Sequence, residues 1–145
     1  VPVQRLSVDA NISQTSQSKI GSYGVSQALV NRGYQEVITY SFISNEYHDL
    51  IDPSAKKITL KNPISDDMSI MRSSLWPGLL QTVEMNQRRG HHNARFFEAG
   101  LCFGGISVDD QRQKIAGIIC GERFESQWGS PESEVDFFDA KSDVE

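Results

Sequence analysis

Apolar positions along the chain follow two rhythms. Ile20, Tyr23, Ala28 and Leu29 fall near one stripe at three- and four-residue spacing, which predicts a helix, and Gly33 after Arg32 is its C-terminal stop. Gly21 and Gly24 each weaken such a helix by about 1 kcal/mol relative to alanine, so a close-packed neighbour is expected there. The rhythm changes at "EVITYSF" (36–42). This run is β-branched, aromatic and almost continuously apolar, as in a strand covered on both faces. "NEYHDLI" reads as a helical turn ending near Pro53, "KITL" (57–60) as a strand, and "NPISDD" as turn chemistry, with Asn62 extended before Pro63.

The clearest helix comes next. Ser74 caps it, Pro77 lies in the first turn, Leu75, Leu79, Leu80 and Val83 form its buried stripe, and Gly90 ends it. "ARFFEAG" and "LCFGG" then read as two strands of a hairpin and "KIAGIICG" (114–121) as a further strand, with "SVDDQRQ" a polar turn between. "FESQWGSPESEV" is an acidic loop whose Trp128 is expected to lie as a lid over the core, and "DFFDAKSDVE" opens a helix with an acidic first turn. Two long helices, a truncated third and five or six strands joined by short links make an α+β domain, an antiparallel sheet flanked by helices.

Composition narrows the function classes. The 145 residues suffice for one cored domain, and a net charge of −5 argues against a surface built wholly for nucleic acid. The local exception is the basic turn at Arg88, Arg89, His91, His92 and Arg95. No apolar run approaches the ~20 residues of a membrane span and no signal peptide is legible, so a cytoplasmic location is expected. Cys102 and Cys120 sit in apolar, strand-like runs and read as buried, reduced thiols; neither has a second cysteine at ligand spacing, and no metal site is expected. The chain starts at Val1-Pro2 and stops as a helix begins, which reads as a piece of a longer protein. On that reading residues 1–17 are a lead-in from a preceding domain, and 18–145 are a core domain truncated at its C-terminal helix.

Two stretches together resemble a known family. "RGYQEVITYSF" (32–42) is similar to motif 1 of class II aminoacyl-tRNA synthetases, and "NARFFEAGLCF" (93–103) to motif 2. The intervening "NPIS", "MRSSLWPGLL" and "NQRR" strings narrow the likeness to the β subunit of bacterial phenylalanyl-tRNA synthetase, as does the closing "WG…VDFFDAKSDVE", with Ser142 where that family suggests glycine. The resemblance implies a class II synthetase-like core that is not itself the aminoacylation site. It implies an α subunit as partner in an (αβ)2 heterotetramer, tRNA(Phe) bound by the whole enzyme, and ATP and Mg²⁺ as cofactors of the whole enzyme but none in this segment. Motif 1 elements build the class II dimer interface, so Tyr23, Tyr40, Phe42 and Trp76 become the candidate α-subunit contacts, expected to be exposed in the isolated segment.

The residues themselves test whether an ATP grip survives. In working motif 2, Arg and Glu are separated by one residue and share a strand face; Arg95 and Glu98 are three apart and should point to opposite faces unless a bulge intervenes. Nothing matches the glycine-rich strand, helix and arginine of motif 3, or a P-loop. Arg95 and Glu98 therefore read as vestigial, and no catalytic residue is assigned. For Arg88, Arg89, His91 and His92 the plain reading is solvated helix-end charge, ahead of partner contact and RNA contact. His91-His92 has no Ser or Asp nearby for triad chemistry. The competing functions are an RNA-contacting module using the turn 88–95 and a small ligase with its own ATP site.

Overall fold

The computed structural model describes residues 21–124, 127–129, 131 and 133–144. The expected lead-in at 1–17 and the stripe residue Ile20 lie outside these. The first helix, α1 (Ser22–Asn31), begins after Gly21 and ends before Gly33, whose φ of +84° lies in the left-handed region that favours glycine. Among the described residues, a Cβ at Gly21 would meet nothing within 4 Å.

"EVITYSF" does not form one strand. It splits into β1 (Gln35–Glu36) and β2 (Phe42–Ile43), and the residues between belong to no strand. Nor is it covered on both faces, because Ile38 is 93% exposed and Tyr40 69%. Helix α2 (Asn45–Ile51) forms where expected, capped by Ser44 Oγ, which accepts the Tyr47 N–H at 3.2 Å. "KITL" supplies only an isolated bridge from Thr59 to Ile70 of β3 (Ile70–Met71), which pairs antiparallel with β2.

Helix α3 (Trp76–Arg88) has Pro77 in its first turn, and Ser74 Oγ accepts the Trp76 N–H at 3.3 Å. The expected hairpin of "ARFFEAG" and "LCFGG" is instead one strand, β4 (Ala94–Phe103), and its partner β5 (Gln111–Cys120) starts three residues earlier than "KIAGIICG". The two pair antiparallel through ten consecutive positions, Ala94 with Cys120 to Phe103 with Gln111. β1 adds to β4 in parallel, giving the order β1-β4-β5, so the sheet of this α+β fold is mixed. Helix α4 (Phe137–Val144) follows the acidic loop. Trp128 is fully exposed and covers no core.

The alternation along β4 sends its side chains to two differently covered faces. On one, Ala94, Phe96 and Cys102 pack with Leu75, Leu79 and Val83 of α3. On the other, Phe97 is completely buried, and α1, Tyr34 and α4 close over β5 around a groove of about 510 Å³.

Candidate functional site

Arg95 and Glu98 stand on opposite faces of β4, whose unbroken ten-residue pairing leaves no bulge to bring them together. Each belongs to a separate cluster.

Glu98 lies on the α3 side, 2% exposed, and its carboxylate is fully engaged. Arg72, also buried, donates from Nη1 to Glu98 Oε1 at 2.7 Å and to Thr39 Oγ1 at 3.1 Å, and from Nε to the Leu101 carbonyl at 2.9 Å. Thr39 donates its hydroxyl to Glu98 Oε2 at 2.8 Å and its main-chain N–H to Oε1 at 3.2 Å. A buried carboxylate holding a guanidinium and two Thr39 donors satisfies the requirement that buried charge be paired and hydrogen-bonded. Two glycines make room for this arrangement. A Cβ at Gly100 would come within 2.3 Å of the Arg72 guanidinium, and one at Gly78 within 2.2 Å of Thr39 Oγ1.

Arg95 lies on the α4 side and is partly exposed. It donates to the Arg123 carbonyl at 3.2 Å and approaches Asp143 at 3.6 Å. Arg123 grips Asp139 from both Nε and Nη2, at 3.1 and 3.0 Å to Oδ2, and the Tyr34 hydroxyl donates to Asp143 at 2.8 Å. The Asp139 carboxyl is held below the usual carboxylate range, first by the Asp136 main-chain N–H and then by Arg123. Burial, with Asp143 beside it, pushes the Tyr34 phenol up. These contacts fasten α4 to the sheet.

Beside Arg95 the sheet end opens into a polar cleft of about 480 Å³, which His91, Asn93 and Arg123 also line. A triphosphate would need cation there, but both arginines already face aspartates of α4. The Arg95–Glu98 geometry does not fit the motif 2 grip on ATP. Among the described residues no three His, Cys, Asp or Glu cluster as a metal cage, and no helix is long and apolar enough to cross a membrane.

Arg88, Arg89, His91 and His92 of the basic turn are all exposed, in differing surroundings. Arg88 is ion-paired with Glu84 one helical turn back, His91 lines the polar cleft, and Arg89 and His92 are exposed. The four aromatic candidates also divide. Tyr40 and half-buried Phe42 line a groove of about 360 Å³ with Ile38, Met68 and Met85. Trp76, 43% exposed, lies nine positions before Met85 and thus on the opposite side of α3. Tyr23 is exposed on α1, against the β1 edge. Cys102 is buried and Cys120 only half-buried, both reduced, and burial pushes the Cys102 thiol up.

Arg72 and Thr39 escaped the sequence reading as partners of Glu98. Arg72 follows the apolar pair Ile70-Met71 but precedes Ser73-Ser74, so nothing local marked it as a buried charge in need of a carboxylate. Nothing local marks Thr39, which meets Glu98 across 59 residues. Buried His48, with neither ring nitrogen hydrogen-bonded to the protein, was likewise unmarked.

Comparison with known proteins agrees with this architecture. The chain superposes on the pyrrolysyl-tRNA synthetase PylSc of Desulfitobacterium hafniense with a TM-score of 0.53 at 19% identity, covering 67% of this chain and 35% of that one. The likeness places the fold with the class II synthetases. Among sequences, the chain is 48% identical to a phenylalanine–tRNA ligase β subunit of Nitrosococcus oceani over 83% of its length and 44% identical to that of Methylococcus capsulatus over 100%. The chain spans only 15% and 18% of those two relatives. A family profile, the phenylalanyl tRNA synthetase beta chain CLM domain, matches residues 1–145. With that match along its whole length, and with the class II fold beneath it, the chain belongs to the phenylalanyl-tRNA synthetase β chain CLM domain family.

Proposed function

We propose that this domain is a non-catalytic core of a phenylalanine–tRNA ligase β subunit, which packs on the catalytic α subunit and supports aminoacylation of tRNA(Phe) in the cytoplasm. The whole enzyme, an (αβ)2 heterotetramer, uses ATP and Mg²⁺; this segment supplies architecture. The observation that carries the reading is the separation of Arg95 and Glu98 to opposite faces, with Glu98 consumed by Arg72 and Thr39. A carboxylate locked under α3 is not free to meet an adenine amino group.

The contact with α is assigned to the groove beside Ile38, Tyr40 and Phe42, because Ile38 and Tyr40 are the exposed apolar residues of the motif 1-like stretch and half-buried Phe42 lines the same groove. Tyr23 and Trp76 face other directions and could meet α only at separate contacts. RNA binding through Arg88, Arg89, His91 and His92 is the weaker reading, since Arg88 is already paired and no exposed aromatic stands among the four.

The test is steady-state aminoacylation and ATP–pyrophosphate exchange by the assembled enzyme carrying Arg95→Ala in β. Both rates should stay within about twofold of wild type, whereas loss of a phosphate-gripping arginine costs on the order of a hundredfold or more. A loss of that size would overturn the non-catalytic assignment.

A further inference from the structure

The chain between β1 and β2 belongs to no strand, and its main chain leaves the sheet at once. Its last ladder-like bond runs from the Val37 N–H to the Phe97 carbonyl at 2.8 Å. Between there and Ser41, side chains replace a partner strand. Glu98 takes the Thr39 N–H and hydroxyl, Arg72 reaches Thr39 Oγ1, and the Arg72 main-chain N–H reaches the Ser41 carbonyl at 3.0 Å. Val37, Thr39 and Ser41 accordingly turn inward while Ile38 and Tyr40 turn out.

We propose that the Arg72–Glu98–Thr39 network is a positioning device that fixes the register of residues 37–41, so that Ile38 and Tyr40 are presented to the α subunit. The inference rests on the interface reading above and adds to it the residues that set that interface. Residues 38–40 have no ladder of their own between the main-chain bonds at Val37 and Ser41, and a slip of one residue there would turn Tyr40 inward and Thr39 out. A buried ion pair adds less stability than packed apolar groups of the same volume, and specifying register is its best-attested use. Gly78 and Gly100 leave the space that the Thr39 hydroxyl and the Arg72 guanidinium occupy, so α3 and β4 are both shaped around the device.

The experiment measures dissociation of the full-length β chain from its α chain by sedimentation at graded subunit concentrations. Thr39→Val keeps the side-chain shape and removes the hydroxyl; about tenfold weaker association is expected, somewhat less than the worth of one hydrogen bond to a charged group. Thr39→Ser, which restores the hydroxyl, should recover association to within about twofold. The paired change Arg72→Met with Glu98→Leu removes the charges while filling the space, and should keep the melting temperature yet still weaken association. Ile38→Ala with Tyr40→Ala supplies the direct comparison. If that pair weakens association while Thr39→Val and the Met/Leu pair do not, the positioning proposal is wrong and the interface reading survives. If Ile38→Ala with Tyr40→Ala changes nothing, the interface reading falls and the proposal falls with it.

Discussion

One sheet carries an arginine–carboxylate cluster on each face, and the two differ in almost every physical respect. Under α3, Arg72 and Glu98 are 5% and 2% exposed at the side chain and hydrogen-bonded to each other, with Thr39 joined to both. Under α4, Arg123 is 37% exposed and Asp139 19%, and the pair clips a short helix to the sheet rim. The same chemistry therefore has two uses. In the interior, a charge without its partner has no water to replace it, so the cluster dictates geometry; at the rim, water substitutes at little cost, and the cluster adjusts how firmly one element is held.

The largest expected effect comes from breaking the buried pair on one side. Glu98→Ala leaves the Arg72 guanidinium buried without a counter-charge and should cost about 3–5 kcal/mol in urea unfolding. A cost below about 1 kcal/mol would erase the contrast between the faces, because that is the range of an exposed pair. Next is Gly100→Ala, whose new methyl would press on the pinned Arg72 guanidinium. It should destabilise by about 1–3 kcal/mol, and pairing it with Arg72→Met should recover most of that loss if the clash is the cause.

On the rim, Asp139→Asn is expected to leave global unfolding almost unchanged and to loosen α4 locally, an effect that shrinks as salt is raised. Hydrogen exchange at α4 amides would register the loosening while β4 stays protected. The smallest effect is the pH dependence of the same group. Because the folded Asp139 pKa is depressed, its contribution is present above the unfolded value, about 3.9, and fades as pH falls through the lower folded value. Protection of α4 should therefore drop below about pH 4 in wild type and show a flatter profile in Asp139→Asn.

How much of this could be read from the chain depends on the range of the interaction. Helix α3 was legible because Pro77, the Leu75, Leu79 and Val83 stripe and Gly90 are local signals spaced by the helix itself, although the N-cap falls on Leu75 rather than Ser74 and Leu80 is exposed. The opposite orientation of Arg95 and Glu98 was legible for the same reason, as the alternation of a strand needs no partner. The division of "EVITYSF" was not, since its apolar content resembles that of a covered strand, and Thr39 within it meets Glu98, 59 residues away. The hairpin expected at Gly100 failed similarly. Gly100 spares space for Arg72 within one continuous strand, where the chain alone suggested a turn.

The sequence by itself determined the family, the α+β class and the positions of the main helices, because these follow from residue patterns within a few turns or from long matching strings. Tertiary structure alone decided that Glu98 is spent on Arg72 and Thr39, that Ile38 and Tyr40 face outward, and that Trp76 and Met85 lie on opposite sides of α3 in different surroundings. Partner choice for a buried charge is settled by which elements pack together, and packing joins residues that no local spacing relates.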